Sequence, residues 1–379
     1  MKKVFTLVCC AALWMAAVGS VSCSLPKRGS DSVFFDYFWW EDDQSYYIKG
    51  TNVAGKTTDD RWDMIDVVIP TEHNGHPVTV IGWDSFKNCQ ILRSVTIPEG
   101  ISGIHGGTFF NCDSLETVHL PKSMENFHGS SFAGCNALRE VTVDPENPWL
   151  CSVDGVVYTK DQRELIFYPP GRTDEEFAIP EGVESVDRYA FAYCENLKRI
   201  CFPQTVCEIS YESILFCQGM EGVTVDERNE TYRSIDGNLY SKDGKTLVRL
   251  CVSTENVSLT VPEGVTTVAE GAAYYAHNVT AVTFPDSLTH IERCAFQFCD
   301  ALESVTLPAG LVYIGPSAFS GCEQLIGAVF QTPSGWSVIP QGGKFQDTKT
   351  LREADLAAPA TAAEYLTDAY DGREWKRGE

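Results

Sequence analysis

The sequence predicts a repeat solenoid built mainly from β-strands. Seven cysteines recur at intervals of 23 residues within three groups, namely Cys89, Cys112 and Cys135, then Cys194 and Cys217, then Cys299 and Cys322. The gap from Cys135 to Cys194 is 59 residues, and the same gap after Cys217 ends at Ala276, which lies 23 residues before Cys299. A fixed period of this length is the signature of stacked supersecondary units that share a continuous core.

Each repeat has the same local pattern around its cysteine. An aromatic residue lies three positions before it in six copies, while Ile214 and Ala273 take that place in the other two. In six copies a leucine lies three positions after the cysteine, and then usually come apolar, polar and apolar residues and a proline, as in Val95, Thr96, Ile97 and Pro98. Alternation of this kind predicts a short strand, and the segment with the aromatic residue and the cysteine predicts a short helical turn. The pattern predicts eight copies over residues 80–330, with strands stacked in parallel about 4.8 Å apart.

The repeat resembles the bacterial leucine-rich repeat of the BspA-like surface proteins. The resemblance is carried by segments such as Ile291–Gly310, IERCAFQFCDALESVTLPAG. It implies one parallel sheet with short helical turns on the convex side, and a role in adhesion or protein binding without catalysis. The motifs of common enzyme active sites and phosphate-binding loops are absent from the sequence, and no cofactor is expected.

The amino terminus has the order of a secretory signal peptide over residues 1–22. Lys2 and Lys3 precede an apolar run that is too short for a transmembrane helix, and small residues lead into Cys23. Cys23 resembles the acylated cysteine of a lipobox, so residues 23–32 are predicted to form a lipid-anchored tether. Cleavage nearby by an ordinary signal peptidase is the alternative. The predicted location is the outer membrane or the cell surface, with a periplasm-facing lipoprotein as the alternative.

Two insertions, at about residues 144–180 and 226–262, interrupt the repeat. They are copies of each other at a distance of 82 residues, as SVDGVVYTKDQRELIFYP and SIDGNLYSKDGKTLVRLC show. Each holds two β-rich runs around a polar turn, Asp161 and Gln162 in the first and Asp243 and Gly244 in the second. This pattern predicts two β-hairpin insertions.

Both ends of the solenoid depart from the repeat, as they must to cover an open core. Residues 33–79, rich in aromatic side chains, are predicted to form an N-terminal β cap. Residues 331–379 are predicted to form a C-terminal cap with a short helix at Pro359–Tyr370, followed by Trp375.

The charge of the chain excludes some classes of partner. The formal net charge of −23 argues against nucleic acid and against anionic membrane surfaces, so membrane attachment is expected only through a lipid anchor. The expected partner is an extracellular or host protein. The alternative is a glycan-binding or envelope scaffold protein, for which exposed aromatic residues in the hairpins or the N-terminal cap would be the distinguishing feature.

The cysteines are expected to be structural free thiols. Replacement of the column cysteine by Ala276 in one copy indicates that the column requires a small buried side chain and not sulfur chemistry. No metal site is predicted. His105 and His128 form a candidate pair, because they are 23 residues apart and should stack on adjacent coils, but the sequence offers no evident third ligand.

The exposed side of the sheet is the predicted binding face. One column has mostly threonines between the inward-facing residues of the strands, and the other, three positions earlier, has alternating charges that could form a ladder such as Arg93–Glu116–Arg139. The candidate binding residues are Arg93, Thr96, Glu116, His119, Arg139, Thr142, Lys198, Glu221, Thr224, Thr283, Glu303 and Thr306.

Overall fold

The computed structural model describes residues 21–22, 33–56, 64–251, 257–340 and 348–378, without the side chains of residues 21, 22 and 257. Residues 1–20 of the predicted signal peptide, Cys23 and the rest of the predicted tether lie outside the described residues. No helix in the described part of the chain is long and apolar enough to cross a membrane.

Parallel strands along one side of the molecule confirm the predicted β-solenoid. The sheet is divided into three segments, of four, three and four strands. In chain order the strands are Ile65–Val68, Leu92–Thr96, Thr117–Leu120 and Glu140–Val143, then Glu176–Ala178, Arg199–Phe202 and Gly222–Val225, then Val257–Thr260, Val279–Thr283, Ser304–Leu307 and Gly327–Phe330. Eight of these eleven strands belong to the copies predicted from the cysteine period. The other three, which begin the three segments, follow no column cysteine and so could not be counted from that period.

A second row of short strands lies along the other side of the coils. Its two-residue members follow the 23-residue period and pair in parallel, as Ser185 does with Glu208 and His290 with Tyr313. The row consists of Gly103–Ile104, Ser185–Val186, Glu208–Ile209, Thr267–Val268, His290–Ile291 and Tyr313–Ile314, joined by the end of the longer strand His76–Ile81. The sequence pattern around the cysteines predicted one strand per coil in one parallel sheet and did not predict this second row.

The turns between the two rows are tighter than α-helix. Only Gly129–Phe132 forms a 3₁₀-helix in the described coils. Elsewhere the turn is held by successive i to i+3 bonds, as where Cys112 N donates to Phe109 O at 3.2 Å and Leu115 N donates to Cys112 O at 3.1 Å. The conserved spacing of ring, cysteine and leucine is therefore the spacing of one such turn.

Each insertion is a three-stranded antiparallel meander, so the predicted two-stranded hairpins were incomplete. The strands are Leu150–Val153, Val156–Thr159 and Glu164–Phe167 in the first, and Tyr232–Ile235, Asn238–Ser241 and Thr246–Arg249 in the second. The missed turns are Asp154–Gly155 and Asp236–Gly237, both with positive φ at each residue. Asp-Gly is a strong signal for such a turn, and it was present in the sequence. The last strand of each meander pairs in parallel with the second row of the next coil.

A buried asparagine holds the start of each meander. Asn147 Nδ2 donates to the carbonyls of Pro121 and Met124, at 2.9 and 2.8 Å, and Asn147 Oδ1 accepts from two backbone N–H groups. Asn229 repeats the arrangement 82 residues later, with the carbonyls of Pro203 and Val206 at 2.9 and 2.8 Å. All four hydrogen-bonding positions used by each amide are filled by backbone groups, which fixes where the chain leaves the repeat.

The terminal regions have their own elements. At the amino end these are the strands Val21–Ser22, Phe34–Trp40, Ser45–Thr51 and Glu72–His73, which form one sheet with His76–Ile81 and Gly103–Ile104. At the carboxyl end they are strands Trp336–Pro340, Lys349–Thr350 and Arg373–Arg377, helices Glu353–Leu356 and Pro359–Glu364, and a π-turn at Tyr365–Ala369. Trp336 and Trp375 are buried there in contact with Phe330 of the last repeat strand.

The apolar interior falls into three clusters that correspond to the three sheet segments. Within a segment equivalent rings stack, as Phe86, Phe109 and Phe132 do with centroids 5.0 Å apart at each step. The clusters change at the two insertions, because a meander replaces the next ring and cysteine of the column there. The predicted continuous core is thus interrupted twice.

The cysteine column is buried as predicted, but its sulfur atoms form hydrogen bonds. Cys135 Sγ lies 3.0 Å from Phe109 O, Cys217 Sγ lies 2.9 Å from Phe191 O, and Cys322 Sγ lies 3.1 Å from Phe296 O. Burial raises the pKa of the Cys112 thiol, so this thiol stays protonated and can donate. The thiols therefore add hydrogen bonds to the packing that a small buried side chain provides in this column, and Ala276 takes the same place without one. All twelve cysteines of the described residues are free thiols.

Candidate functional site

The predicted threonine column lies on the solvent side of the parallel strands. Thr96 pairs with His119 and His119 with Thr142, and these three residues are exposed between buried neighbours. Thr224, Thr283 and Thr306 hold the same position in later strands and are also exposed. His119 Nδ1 lies 3.0 Å from Thr142 Oγ1, so adjacent members of the column contact each other. The backbone of interior strands is paired on both sides, and recognition on this face must therefore use side chains.

The predicted charge column is exposed in part and paired differently from the expectation. Arg93 binds Asp66 of the first strand through its Nε, at 2.9 Å, and through a second guanidinium nitrogen. Among the described residues no ion pair joins Arg93, Glu116 and Arg139, so the predicted ladder does not form. In the second segment Lys198 lies 2.7 Å from Glu175, and Glu221 lies 3.6 Å from Arg199. Glu303 is exposed on the third segment.

A cavity of about 390 Å³ opens where the first segment ends. Glu116 and Arg139 of the predicted face line it, together with Glu140, Asp154 and Arg172 from the strand edge and the insertion. Arg172 is held by Asp174, 2.6 Å from its Nε, and donates to the Asp154 carbonyl. Sequence reasoning missed Asp154 and Arg172, because the Asp-Gly turn that brings the insertion back to the face was not recognised. The cavity combines both signs of charge and favours a polar partner surface.

The two candidate metal ligands have different environments. His128 is exposed, whereas His105 is half-buried with its ring centroid 3.8 Å from that of Trp83. Burial lowers the pKa of His105, and the neighbouring His128 lowers it further. Within the described ranges no group of three or more His, Cys, Asp or Glu side chains is placed to hold a metal ion.

An exposed strip of aromatic rings crosses the N-terminal region. Trp40 stacks on Tyr47 with centroids 5.8 Å apart, Phe38 lies 6.0 Å from Trp40, and His105 connects Tyr47 to Trp83. Trp40 is 41% exposed and Trp83 is 63% exposed. Of the aromatic run at Phe34–Trp40, only Phe35 is fully buried. Trp83 lies in the first repeat, and the sequence pattern did not single it out.

These features define the class of protein. Stacked parallel strands, most of them preceded by a turn with the ring, cysteine and leucine spacing, make a leucine-rich repeat solenoid. Proteins of this class serve as scaffolds for protein–protein contacts and are typically non-catalytic.

The chain belongs to the BspA-type leucine-rich repeat family. The family's sequence pattern, described as the BspA type leucine rich repeat region, matches six copies over residues 64–148, 167–246 and 249–363. Members of this family are typically bacterial surface proteins. No curated protein matches the sequence.

The chain is also similar to several solved structures. A leucine-rich repeat protein from Eubacterium ventriosum is 20% identical with a TM-score of 0.41, over 77% of this chain and 93% of that one. The pneumococcal vaccine antigen PcpA is 18% identical with a TM-score of 0.40, over 78% and 79%. A leucine rich cell surface protein from Faecalibacterium prausnitzii is 22% identical with a TM-score of 0.36, over 81% and 89%.

Proposed function

We propose that this chain is an exported, lipid-anchored, non-catalytic protein that binds an extracellular or host protein through the solvent side of its parallel strands. The observation that carries the proposal is the exposed side-chain column, which presents one residue per coil about 4.8 Å apart on a backbone already paired. Such a surface is rigid before binding, so little conformational entropy is lost when a partner docks.

The proposed centre of recognition is the cavity at Glu116 and Arg139. Neither side chain has an ion-pair partner among the described residues, whereas Arg93 and Lys198 on either side do. A partner with complementary charges would therefore gain ion pairs there without first breaking any. Charged residues at the rim of an interface mainly set the association rate and the specificity.

A charge reversal tests this face. Arg139→Glu should weaken binding to an immobilised extracellular-matrix or mucin preparation by about tenfold, as measured by surface plasmon resonance. The matched control is Arg233→Glu, which makes the same change at an exposed arginine of the second meander. Equal effects of the two variants, or no saturable binding by the unmodified chain, would contradict the proposal.

The anchor is tested separately at Cys23. The unmodified chain, expressed in a bacterial host, should incorporate a lipid probe and partition into detergent, and Cys23→Ala should do neither. The predicted free thiol Cys207 is exposed and provides the control Cys207→Ala, which should leave lipidation unchanged. Lipid incorporation into Cys23→Ala would refute the assignment.

Glycan binding is the second candidate function, and the exposed aromatic strip favours it. Rings such as Trp40, Tyr47 and Trp83 can stack on the apolar faces of sugars. A glycan array should then show binding that Trp83→Ala removes and Trp149→Ala retains, since Trp149 is an exposed tryptophan of the first insertion. Binding that survives Trp83→Ala, or an array without signal, would count against this candidate.

A further inference from the structure

One backbone position of the repeat has a left-handed conformation in every copy. The residue directly before the column cysteine, or before Ala276, has a φ between 57° and 74° in all eight copies. Asparagine and glycine, which tolerate this conformation, take that position in four copies, at Asn88, Asn111, Gly134 and Gly321. The four successive copies between them have aromatic residues instead, at Tyr193, Phe216, Tyr275 and Phe298. A bulky side chain is uncommon at such a φ, so four of them in a row point to a role beyond the turn itself.

These four residues form a partly exposed aromatic ladder along the turns of four coils. The ring centroids lie 4.7 Å apart from Tyr193 to Phe216, 5.0 Å apart from Phe216 to Tyr275, and 4.5 Å apart from Tyr275 to Phe298. The two inner rings are neighbours in space although the second meander separates them along the chain. The ladder ends at Gly321, where a β-carbon would lie 2.3 Å from the Phe298 ring.

A cavity of about 340 Å³ opens at the middle of the ladder, and both inner rings line it. Arg249, the last residue of the second meander, forms part of its wall. The Nη atoms of Arg249 donate to the carbonyls of Gly271 at 2.9 Å, Ile214 at 3.2 Å and Tyr274 at 3.4 Å, and its Nε is buried. The guanidinium therefore joins the coils on the two sides of the cavity and leaves no donor for a ligand.

The wall of this cavity combines aromatic rings with neutral polar groups. Tyr274 joins the two inner rings of the ladder, and Gln218, Asn278 and His277 lie beside them. His277 Nδ1 is bound to Asp300 at 2.8 Å, and none of the residues that line the cavity is acidic. Because the guanidinium is also fully occupied, no unpaired charge is open to a ligand. A pyranose ring has an apolar face of C–H groups and a rim of hydroxyls, so it matches such a wall better than an ion or a wholly apolar molecule.

We propose that this cavity and the aromatic ladder bind a neutral oligosaccharide. One sugar enters the cavity and packs against Phe216 and Tyr275, where the amide of Gln218 bonds to its hydroxyls, and the rest of the chain follows the ladder toward Tyr193 or Phe298. The cavity volume lies in the range of small-molecule sites, and the step between rings is close to the length of one pyranose unit in an extended chain.

Two further properties of the chain agree with this ligand. Contact with a sugar gives the aromatic residues a use that offsets the cost of their left-handed backbone, which the turn alone does not require. The formal net charge of −23 disfavours an anionic glycan. The inference rests neither on the proposed protein-binding face nor on the exposed aromatic strip at Trp83.

The test is calorimetric titration of the full-length chain with neutral hexasaccharides. The probes are cellohexaose, laminarihexaose, maltohexaose and N-acetylchitohexaose. At least one of them should bind saturably with a Kd below about 1 mM, and the corresponding disaccharide should bind about tenfold more weakly because it reaches fewer rings of the ladder. A hexamer of galacturonic acid, which is anionic, should not bind.

Two ring variants make the test specific to the ladder. Phe216→Asn and Tyr275→Asn each install the residue that Asn88 and Asn111 provide at the same position, so the turn should be retained. Each variant should weaken binding at least about tenfold, while urea unfolding shows little change in stability. Rings that served only to pack against their neighbours would give the reverse, a loss of stability with unchanged binding.

Two other variants separate this site from the rest of the surface. Trp83→Ala removes the most exposed ring of the N-terminal strip and should retain saturable binding of the probe. Gln218→Ala, at an exposed side chain of the cavity, should weaken binding about threefold or more without affecting folding. The Gln218 variant decides the matter if a ring variant does not fold.

Three results would overturn the proposal. They are the absence of saturable binding by all four hexasaccharides, unchanged affinity in folded Phe216→Asn and Tyr275→Asn chains, and loss of binding in Trp83→Ala alone. The last result would place glycan binding at the N-terminal strip, so it would support the second candidate function while removing this one.

Discussion

The two insertions begin with the same backbone contacts, but the last strands of their meanders end in side chains of opposite chemistry. Both begin with a buried asparagine, turn at Asp-Gly, and join the second row of the next coil. The first ends in Phe167, which is fully buried among aromatic rings, and the second ends in Arg249, which borders a cavity. The comparison teaches that the backbone of a duplicated unit can be retained by a few polar contacts while its packing residues change freely.

Exchange of the two inner residues should give the largest effect. Phe167→Arg should destabilise the chain by about 4 kcal/mol or more, because it buries a charge in a filled aromatic cluster. Arg249→Phe should cost at least about 2 kcal/mol less, since it removes a buried charge and partly fills a space. Urea unfolding of the full-length chain, followed by circular dichroism, measures both. Equal losses of stability would show that Phe167 and Arg249 lie in equally packed surroundings, which would contradict the cavity beside Arg249.

The two buried asparagines should contribute equally to stability, in contrast to Phe167 and Arg249. Asn147→Ala and Asn229→Ala should each cost about 3 kcal/mol, because each leaves buried backbone groups without partners. The same urea titrations give the two values, and Asn136→Ala, at an exposed asparagine, is the control. A difference above about 1 kcal/mol between the two variants would show that the insertions also differ in packing where they begin.

The cysteine column offers a smaller and graded comparison. Cys135→Ala should cost about 1 to 2 kcal/mol, through the lost S–H···O bond to Phe109 and the small void that remains. Cys217→Ala should lower stability by less, because Cys217 borders the cavity beside Arg249, where its neighbours are less closely packed. Thermal unfolding of both variants tests the order. The reverse order would contradict the view that side chains pack less closely around Cys217 than around Cys135.

The smallest expected effect is a pH dependence confined to the N-terminal region. Burial lowers the pKa of His105 and of His73, so the folded state binds protons less readily than the unfolded chain at these sites. Their contribution to stability is therefore present above the unfolded pKa of about 6.5 and is lost as pH falls through it toward the lowered values. Hydrogen exchange at pH 7.5 and 5.5 should show loss of protection near His76–Ile81, less so in His105→Phe. Exposed His119→Gln should not change this response.

Much of the fold could be predicted because every copy of the repeat has equivalent residues at the same spacing. The positions of Phe86, Cys89 and Leu92 within one copy recur in the others, so inward and outward columns followed directly from the 23-residue period. The candidate face at Thr96, His119 and Thr142 is exposed for that reason. The ion pair of Arg93 could not be predicted, because Asp66 lies on a strand that follows no column cysteine and therefore could not be placed from the 23-residue period.

The sequence by itself determined the class of fold, the stacking of coils and the duplication of the insertions, since these depend on local spacing that each copy repeats. Only the tertiary structure decided that the thiols donate to carbonyls of the preceding coil, that the core divides into three, and that Arg249 is buried beside a cavity. Arg249 meets the Ile214 carbonyl across 35 residues of chain and Gly271 across 22. Such contacts depend on how a meander docks between two coils. That docking is set by the shapes of side chains from separate segments, which spacing along one chain does not specify.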